Sequence, residues 1–367
     1  MSLSEVKHQP FAQRMIQQAL DRARMPHGYI FHGPNGVGKE LLARGLAQLL
    51  LCPRPVERTF TGEQATQIVA ARLREGCGAC ADCRLVAAET HPDFHLIYRQ
   101  LNRDHPDPDV RKRKGLGLGV EVVRHFVVDR VALTPHHGRA KVFVIREADD
   151  MNVQAQNALL KTLEEPPGTT FLVLLASALD SLLPTTQSRC QIVRFDALPA
   201  AFVKSRLAEL RPALNEEQLG WYTATAEGSI GQALEDADND TFARNDWIVE
   251  RLAAAAEAEP AQLAEAWSQT ADSLGERYRK LDADITDTDA TRRGLRVALR
   301  LTANWYVDLL RGTAGGPRGG TERLAAAIER IAQAEQQLEL NVNTHLCLET
   351  LANDLVNLTA GRELVRA

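Results

Sequence analysis

The run Gly33-Pro34-Asn35-Gly36-Val37-Gly38-Lys39-Glu40 restricts what this chain can become more than any other stretch. It follows the apolar Tyr29-Ile30-Phe31 and opens an amphipathic segment, Leu41 to Leu51. Strand, glycine loop and helix in that order form a phosphate cradle. Glycines let backbone N–H groups turn toward an anion, the helix N-terminus adds partial positive charge, and Lys39 reaches the outer phosphates. In an active cradle the next residue is Ser or Thr, whose hydroxyl ligates Mg²⁺. Here that place holds Glu40.

The strand expected to supply the second half of such a site is Val142-Phe143-Val144-Ile145, followed by Arg146-Glu147-Ala148-Asp149. In phosphate-binding α/β proteins this strand ends in Asp-Glu, the Asp holding Mg²⁺ and the Glu polarising the attacking water. Arg146 stands in the Asp place and Glu147 in the Glu place. A guanidinium stays charged and cannot ligate a cation. Two groups that would share one ion must lie close together, so Glu40 and Arg146 are expected to pair at about 2.7–3.2 Å between N and O. The other placement open to Glu40 is that of a solvent-facing carboxylate in a first helical turn, which also suits the dipole.

Further strands are read at Asp93–Tyr98, Thr170–Ala176 and Gln191–Phe195, with helices at Phe11–Arg24, Val120–Leu133 and Asn152–Glu165. Continuous apolar strands alternating with helices predict a parallel sheet covered on both faces. Beyond Leu198 the β signal ends and eight helical stretches follow, the last near 342–360. The class is therefore α/β plus all-α. Leucine stripes in the helical half, Leu309-Leu310 and Leu346, Leu348, Leu351, Leu355 and Leu358, are explained by packing without any ligand.

Cys52, Cys77, Cys80 and Cys83 supply four thiolates, the number for a closed tetrahedral Zn²⁺ site of structural rather than catalytic kind. A redox-active pair is the other reading, without thioredoxin-like context to support it. Cys190 and Cys347 read as small buried apolar side chains. Arg111-Lys112-Arg113-Lys114 reads as a solvated charge run, with DNA contact the alternative. A net charge of −5 over 367 residues excludes a protein that coats nucleic acid with its whole surface. No apolar run reaches membrane-spanning length and the N-terminus lacks a signal-peptide layout, so a cytoplasmic location and no membrane partner are expected.

Three strings in order carry a resemblance: Lys141 to Asp149, Gln156-Asn157-Ala158-Leu159-Leu160-Lys161-Thr162-Leu163-Glu164-Glu165-Pro166-Pro167, and Ser188-Arg189-Cys190. They resemble the bacterial clamp-loader branch of the AAA+ ATPases, over residues 10–240 and including the four-cysteine module. The resemblance implies an AAA+ core at 1–197 with its zinc module at 52–83, a small helical lid at 198–240 and a helical collar at 241–367 that oligomerises. It further implies that Arg189 projects into a neighbouring subunit's nucleotide site. Family spacing between the first two cysteines is usually shorter, which makes Pro53–Gly76 extra material, with an inserted helix expected at Gln64–Leu73 and Cys52 a less regular ligand.

Three departures bear on triphosphate or Mg²⁺: Glu40, Arg146, and Gly231, where a motor subunit carries a nucleotide-contacting arginine. Together they imply a non-hydrolysing stator with a vestigial phosphate loop (Gly33, Gly36, Gly38, Lys39) and a degenerate metal site (Glu40, Arg146, Glu147). Mg²⁺ is not expected there and ATP binding is doubtful. The implied partners are the gamma/tau motor subunits and the delta subunit of DNA polymerase III, and, through the assembled loader, the β sliding clamp and primer–template DNA. The alternative is an ATP-hydrolysing motor subunit, with Glu40 itself holding Mg²⁺ and Glu147 polarising water.

Overall fold

The computed structural model describes residues 2–60, 72–112, 117–137, 140–253, 259–283, 285–312, 320–339 and 343–360. The chain divides into two compact units, Met1–Leu234 and Glu235–Ala367.

In the first unit, helix α1 (Pro10–Asp21) precedes strand β1 (Gly28–His32), and helix α2 (Lys39–Leu51) follows the glycine loop. Strands β2 (Val56–Thr59) and β3 (Arg72–Glu75) then pair antiparallel with each other, and helix α3 spans Ala81–Ala87. After β4 (Phe94–Ile97), a helical turn Val120–Val123 runs through a π segment, Arg124–Val128, into Asp129–Val131; these together are α4. Next come β5 (Lys141–Ile145), α5 (Val153–Glu164), β6 (Thr170–Ala176) and β7 (Gln191–Arg194). Helices α6 (Ala200–Leu210), α7 (Glu216–Thr225) and α8 (Ile230–Asp238) complete the series, α8 carrying the boundary between the units.

The main sheet is all parallel in the order β4-β5-β6-β1-β7. Its central strands are covered on both faces: β5 and β6 are buried throughout, and after their first residues, Lys141 and Thr170, they are apolar at every position. One face, formed by Ile30, Ile97, Phe143, Ile145, Leu172 and Leu174, packs with Val123, Val127, Leu159 and Leu163 of α4 and α5. Residues of the opposite parity, including Phe31, Val142, Val144 and Val173, are equally buried, and α2 packs against β5 and β6. Each strand expected from the sequence is present within a residue or two. The class, α/β followed by all-α, is the one expected.

The helix expected at Gln64–Leu73 is corrected at its end: Arg72 and Leu73 belong to strand β3, while 64–71 lie outside the described residues. Glu75 at the end of β3 explains why a strand forms there. Its carboxylate is fully buried, pairs with Arg58 of β2 at 2.5 Å and accepts the Ser4 N–H at 3.1 Å. The hairpin is thus tied to the N-terminal segment, and Gln17 of α1 bonds both backbone groups of Arg74.

The second unit is helical: α9 (Thr241–Ala253), α10 (Pro260–Leu281), α11 (Asp287–Arg311), α12 (Thr321–Glu339) and α13 (Thr344–Thr359). Trp267 of α10 is buried and donates to Thr302 Oγ1 of α11 at 2.9 Å. Asp236, 1% exposed, is neutralised by Arg300, whose Nη1 lies at 2.9 Å. Leu348, Leu351, Leu355 and Leu358 are buried, as packing predicts, but Leu346 in the first turn of α13 and Leu310 in the last turn of α11 are exposed, at 59% and 43%.

Candidate functional site

The glycine loop has the backbone its sequence implies: Gly33, Gly36 and Gly38 take φ of 144°, 70° and 103°, conformations that cost other residues about 1–3 kcal/mol each. Lys39, 7% exposed, bends back onto the loop. Its ammonium donates to Gly33 O, to Pro34 O at 2.8 Å and to Asn35 Oδ1 at 3.4 Å. Burial lowers its pKa to about 8, against the opposing charge of Asp149. The loop is steadied by Gln9, whose amide donates to Val37 O at 3.3 Å and Asp196 O at 2.7 Å.

Glu40 and Arg146 form a two-pronged ion pair. Arg146 Nε donates to Oε2 at 2.7 Å and Nη2 to Oε1 at 2.5 Å, the parallel geometry in which a guanidinium and a carboxylate bind most strongly. The pair joins the first turn of α2 to the end of β5, and the solvent-facing placement of Glu40 is not adopted. A second cation completes it: Arg44, one turn along α2, donates through Nε to Glu40 Oε1 at 2.7 Å and reaches Glu89 at 2.6 Å. Arg146 also lies over the Tyr98 ring, 5.7 Å from its centroid. Two guanidinia and two carboxylates therefore meet in one cluster whose formal charges cancel. Glu147 is exposed, with a left-handed φ of 50°.

Burial alone would raise the Glu40 carboxyl, but the hydrogen bonds and charge of Arg146, joined by Arg44, outweigh it and hold it below the ordinary 4.5. A depressed carboxyl contributes stability above its unfolded pKa and loses it as pH falls through the folded value. Chemical denaturation is therefore expected to show stability falling as pH drops below about 4.5, with Glu40→Gln removing that component of the slope.

The start of α8 meets the loop directly. Ser229 caps it, accepting the Gln232 N–H at 2.9 Å, and its hydroxyl donates to Asn35 O. A Cβ on Gly36 would fall 2.1 Å from Gly231 N, and one on Gly231 would fall 2.9 Å from Gly36 Cα. Backbone thus rests on backbone at the crest of the cradle. Gly36→Ala must both strain φ and part these segments; a loss of about 2–4 kcal/mol is expected in urea unfolding.

Arg189 lies between the one-turn helix Pro184–Gln187 and edge strand β7, on the opposite side of α5 from the cluster in chain order. Its Nε donates to Glu164 Oε1 at 2.7 Å and its Nη1 to Thr185 O at 2.9 Å. It is not in contact with the Glu40 cluster, and the structure brings no described phosphate-loop residue to it.

The four cysteines converge. Cys52 Sγ lies 3.9 Å from Cys80 Sγ and Cys77 Sγ 3.9 Å from Cys83 Sγ, and all four sulfurs fall within 4.8 Å of one another. Tetrahedral Zn–S bonds of about 2.3 Å require S···S separations of this size. The N–H groups of Cys77, Cys80 and Cys83 each point at a preceding cysteine sulfur, at 3.4, 3.3 and 3.3 Å, an arrangement that would stabilise thiolates around a bound metal. Four cysteines so arranged could hold a metal such as zinc. The β2–β3 hairpin accounts for the long interval after Cys52 without displacing its sulfur.

Beside this module Asp82, His91 and His137 also approach one another, a grouping the sequence reading missed. Asp93 N–H donates to His91 Nδ1 at 3.0 Å, so the neutral ring carries its proton on Nε2 and offers it to Asp82 Oδ1 at 3.3 Å. That nitrogen has no lone pair for a cation, and the trio is a hydrogen-bonded brace. In the basic run, Arg111 turns onto His105 O and Pro106 O at 3.0 and 3.1 Å, Lys112 is exposed, and Arg113 and Lys114 lie outside the described residues. Cys347 is buried; Cys190 is half-buried, its thiol pushed up to about 12 by burial.

A family model described as DNA polymerase III, delta subunit, matches residues 8–199. Among curated proteins, the DNA polymerase III subunit delta' of Pseudomonas aeruginosa is 36% identical over 181 residues, 49% of this chain and 46% of that protein. The delta' subunit of Bacillus subtilis is 28% identical over 238 residues, 65% of this chain and 61% of that protein. The tau subunit of Escherichia coli is 30% identical over 244 residues, 65% of this chain and 32% of that protein. The chain spans about half the length of the curated delta' relatives it matches. A DNA polymerase III gamma subunit-related protein from Thermotoga maritima superposes with a TM-score of 0.43 at 16% identity, over 95% of this chain and 99% of that one. No helix among the described residues is long and apolar enough to cross a membrane.

Proposed function

The chain belongs to the DNA polymerase III delta subunit family, and from that membership and the site's geometry we propose that it is the delta'-type stator of a bacterial clamp loader. It would not hydrolyse ATP. It would instead lend Arg189 to the active site of an adjacent gamma/tau-type motor subunit while the loader places the β sliding clamp on primer–template DNA. The delta subunit would be the other partner in the ring.

The observation that carries this reading is the Glu40–Arg146 pair with Arg44 behind it. A divalent ion bound at this place would meet two guanidinia, and the carboxylate that could attract it is already neutralised. Support also comes from α8: its Gly231 backbone lies against Gly36 of the loop, where the resembling motor subunits carry an arginine that contacts nucleotide. Mg²⁺ would not be seated here, and nucleotide would be held poorly if at all.

The division of labour follows the chain. Residues 1–197 would act as the AAA+ core, 198–240 as the lid and 241–367 as the collar that joins the ring. Cys52, Cys77, Cys80 and Cys83 would hold a structural Zn²⁺, every position being filled by sulfur and none left for substrate.

An ATP-hydrolysing motor subunit is the competing reading, favoured by the 30% identity to tau and by the exposed Glu147. Arg146 opposes it by occupying the ion's place. Mixing the purified chain with gamma/tau-type and delta subunits tests the assembly: one stable complex by size exclusion is expected, and failure to enter a complex with motor subunits contradicts the stator reading.

A further inference from the structure

Arg189 is not waiting in solvent. Its guanidinium is engaged by its own chain on three sides. Nε donates to Glu164 Oε1 at 2.7 Å, Nη2 pairs with the same oxygen, and Nη1 donates to Thr185 O at 2.9 Å and Ser188 Oγ at 3.3 Å. A guanidinium offers five N–H donors, so the groups that would greet a neighbour's phosphate are almost all in use.

Glu164 is placed unusually for a carboxylate. It is the last residue of α5, where the helix dipole presents partial negative charge and disfavours an anion. Lys161 in the same last turn supplies one cation, and Arg189, paired directly with the carboxylate, supplies a second. Both partners remain reachable from outside, at 33% and 47% exposure for Arg189 and Glu164, so the contact can be exchanged for another anion.

We propose that Glu164 is a positioning residue that latches Arg189 in a retracted pose, so that the finger is released only when a neighbour presents an anion stronger than a carboxylate. This deepens the stator reading and rests on Arg189 acting in trans. The chemistry selects the releasing group. A terminal phosphate carries up to two negative charges and three acceptor oxygens, whereas Glu164 carries one charge, on a side chain the dipole already destabilises. The terminal phosphate of a nucleoside triphosphate in the adjacent subunit has that chemistry. A neighbour without nucleotide offers nothing to displace Glu164, so Arg189 stays folded against its own subunit. Glu164 thereby makes the finger conditional on the neighbour being loaded.

The test uses the assembled loader with wild-type motor subunits and compares wild type, Glu164→Gln, Arg189→Ala and the double variant. Glutamine keeps the shape and one acceptor but loses the charge. Hydrolysis at the adjoining motor site is expected to rise about 3–10-fold in kcat/KM with Glu164→Gln, the difference between a charged and a neutral acceptor. The double variant should show no gain over Arg189→Ala, and Glu164→Asp should return toward wild type. If Arg189→Ala leaves hydrolysis unchanged, the finger reading itself fails and the latch with it. If Arg189→Ala suppresses hydrolysis while Glu164→Gln is neutral or slower, the latch alone is overturned. A direct readout on the isolated chain is Nε–H exchange of Arg189 by NMR: slow in wild type and fast in Glu164→Gln supports the latch, and fast exchange in wild type overturns it.

Discussion

Arg189→Ala is expected to slow ATP hydrolysis at the adjoining motor site by about 10³–10⁵-fold while leaving the ring assembled. The size follows from what a guanidinium does in phosphoryl transfer. Charge spreads over the equatorial oxygens of the transferred group, and a cation fixed beside them stabilises it without having to reorganise. The variant should fold normally. Arg189 is exposed on a sheet edge, its partners are Glu164 and local carbonyl and hydroxyl groups, and the apolar core beneath β7 does not use it. Steady-state turnover of the reconstituted loader measures the effect, with complex formation checked by size exclusion. Sites that do not adjoin this subunit should keep their rates, so the total should fall by the share of one interface.

Cys83→Ser should have the largest effect on the chain's own stability. Cys83 is 1% exposed, and its carbonyl accepts the Gln48 amide at 2.9 Å, so the sulfur cluster is packed onto α2. Structural Zn²⁺ contributes about 10–16 kcal/mol in small isolated modules, and losing one of four thiolates forfeits most of it. The expected outcome is a protein that co-purifies without stoichiometric zinc and unfolds at markedly lower urea, with α3 and the β2–β3 hairpin the first parts to open to amide exchange. Removing metal from the wild type with a strong chelator should reproduce the phenotype. The Cys190→Ser variant should not, because that thiol belongs to no cluster among the described residues.

The main sheet was legible because parallel strands buried on both faces write themselves as unbroken apolar runs, as in Val142–Ile145 and Phe171–Ala176. The Glu40–Arg146 pair was legible too, since two positions that serve one ion must be neighbours whatever occupies them. The β2–β3 hairpin was not. Val56-Glu57-Arg58-Thr59 and Arg72-Leu73-Arg74-Glu75 hold one strongly apolar residue each, and what fixes them is the burial of a charge, Glu75, which no periodicity signals. Arg44 and Glu89 escaped notice for a different reason. Arg44 is 5% exposed, and one of its partners, Glu89, lies 45 positions further on, a pairing that no local pattern signals. Gly231 against Gly36 left no side-chain trace, since the contact is made by backbone alone. The π segment in α4 is likewise invisible in apolar spacing that fits an ordinary helix.

These successes and omissions share a cause. Sequence reports which groups must be near a common ligand, but not which groups of the protein stand in for that ligand when it is gone. On the proposed reading those groups are Glu40, Arg44, Glu89 and Arg146, whose formal charges sum to zero.

ATP hydrolysis by the isolated, metal-replete chain in excess Mg²⁺ tests this most directly. The account predicts a rate indistinguishable from buffer and unchanged by Lys39→Ala. Mg²⁺-dependent turnover that Lys39→Ala abolishes would contradict it.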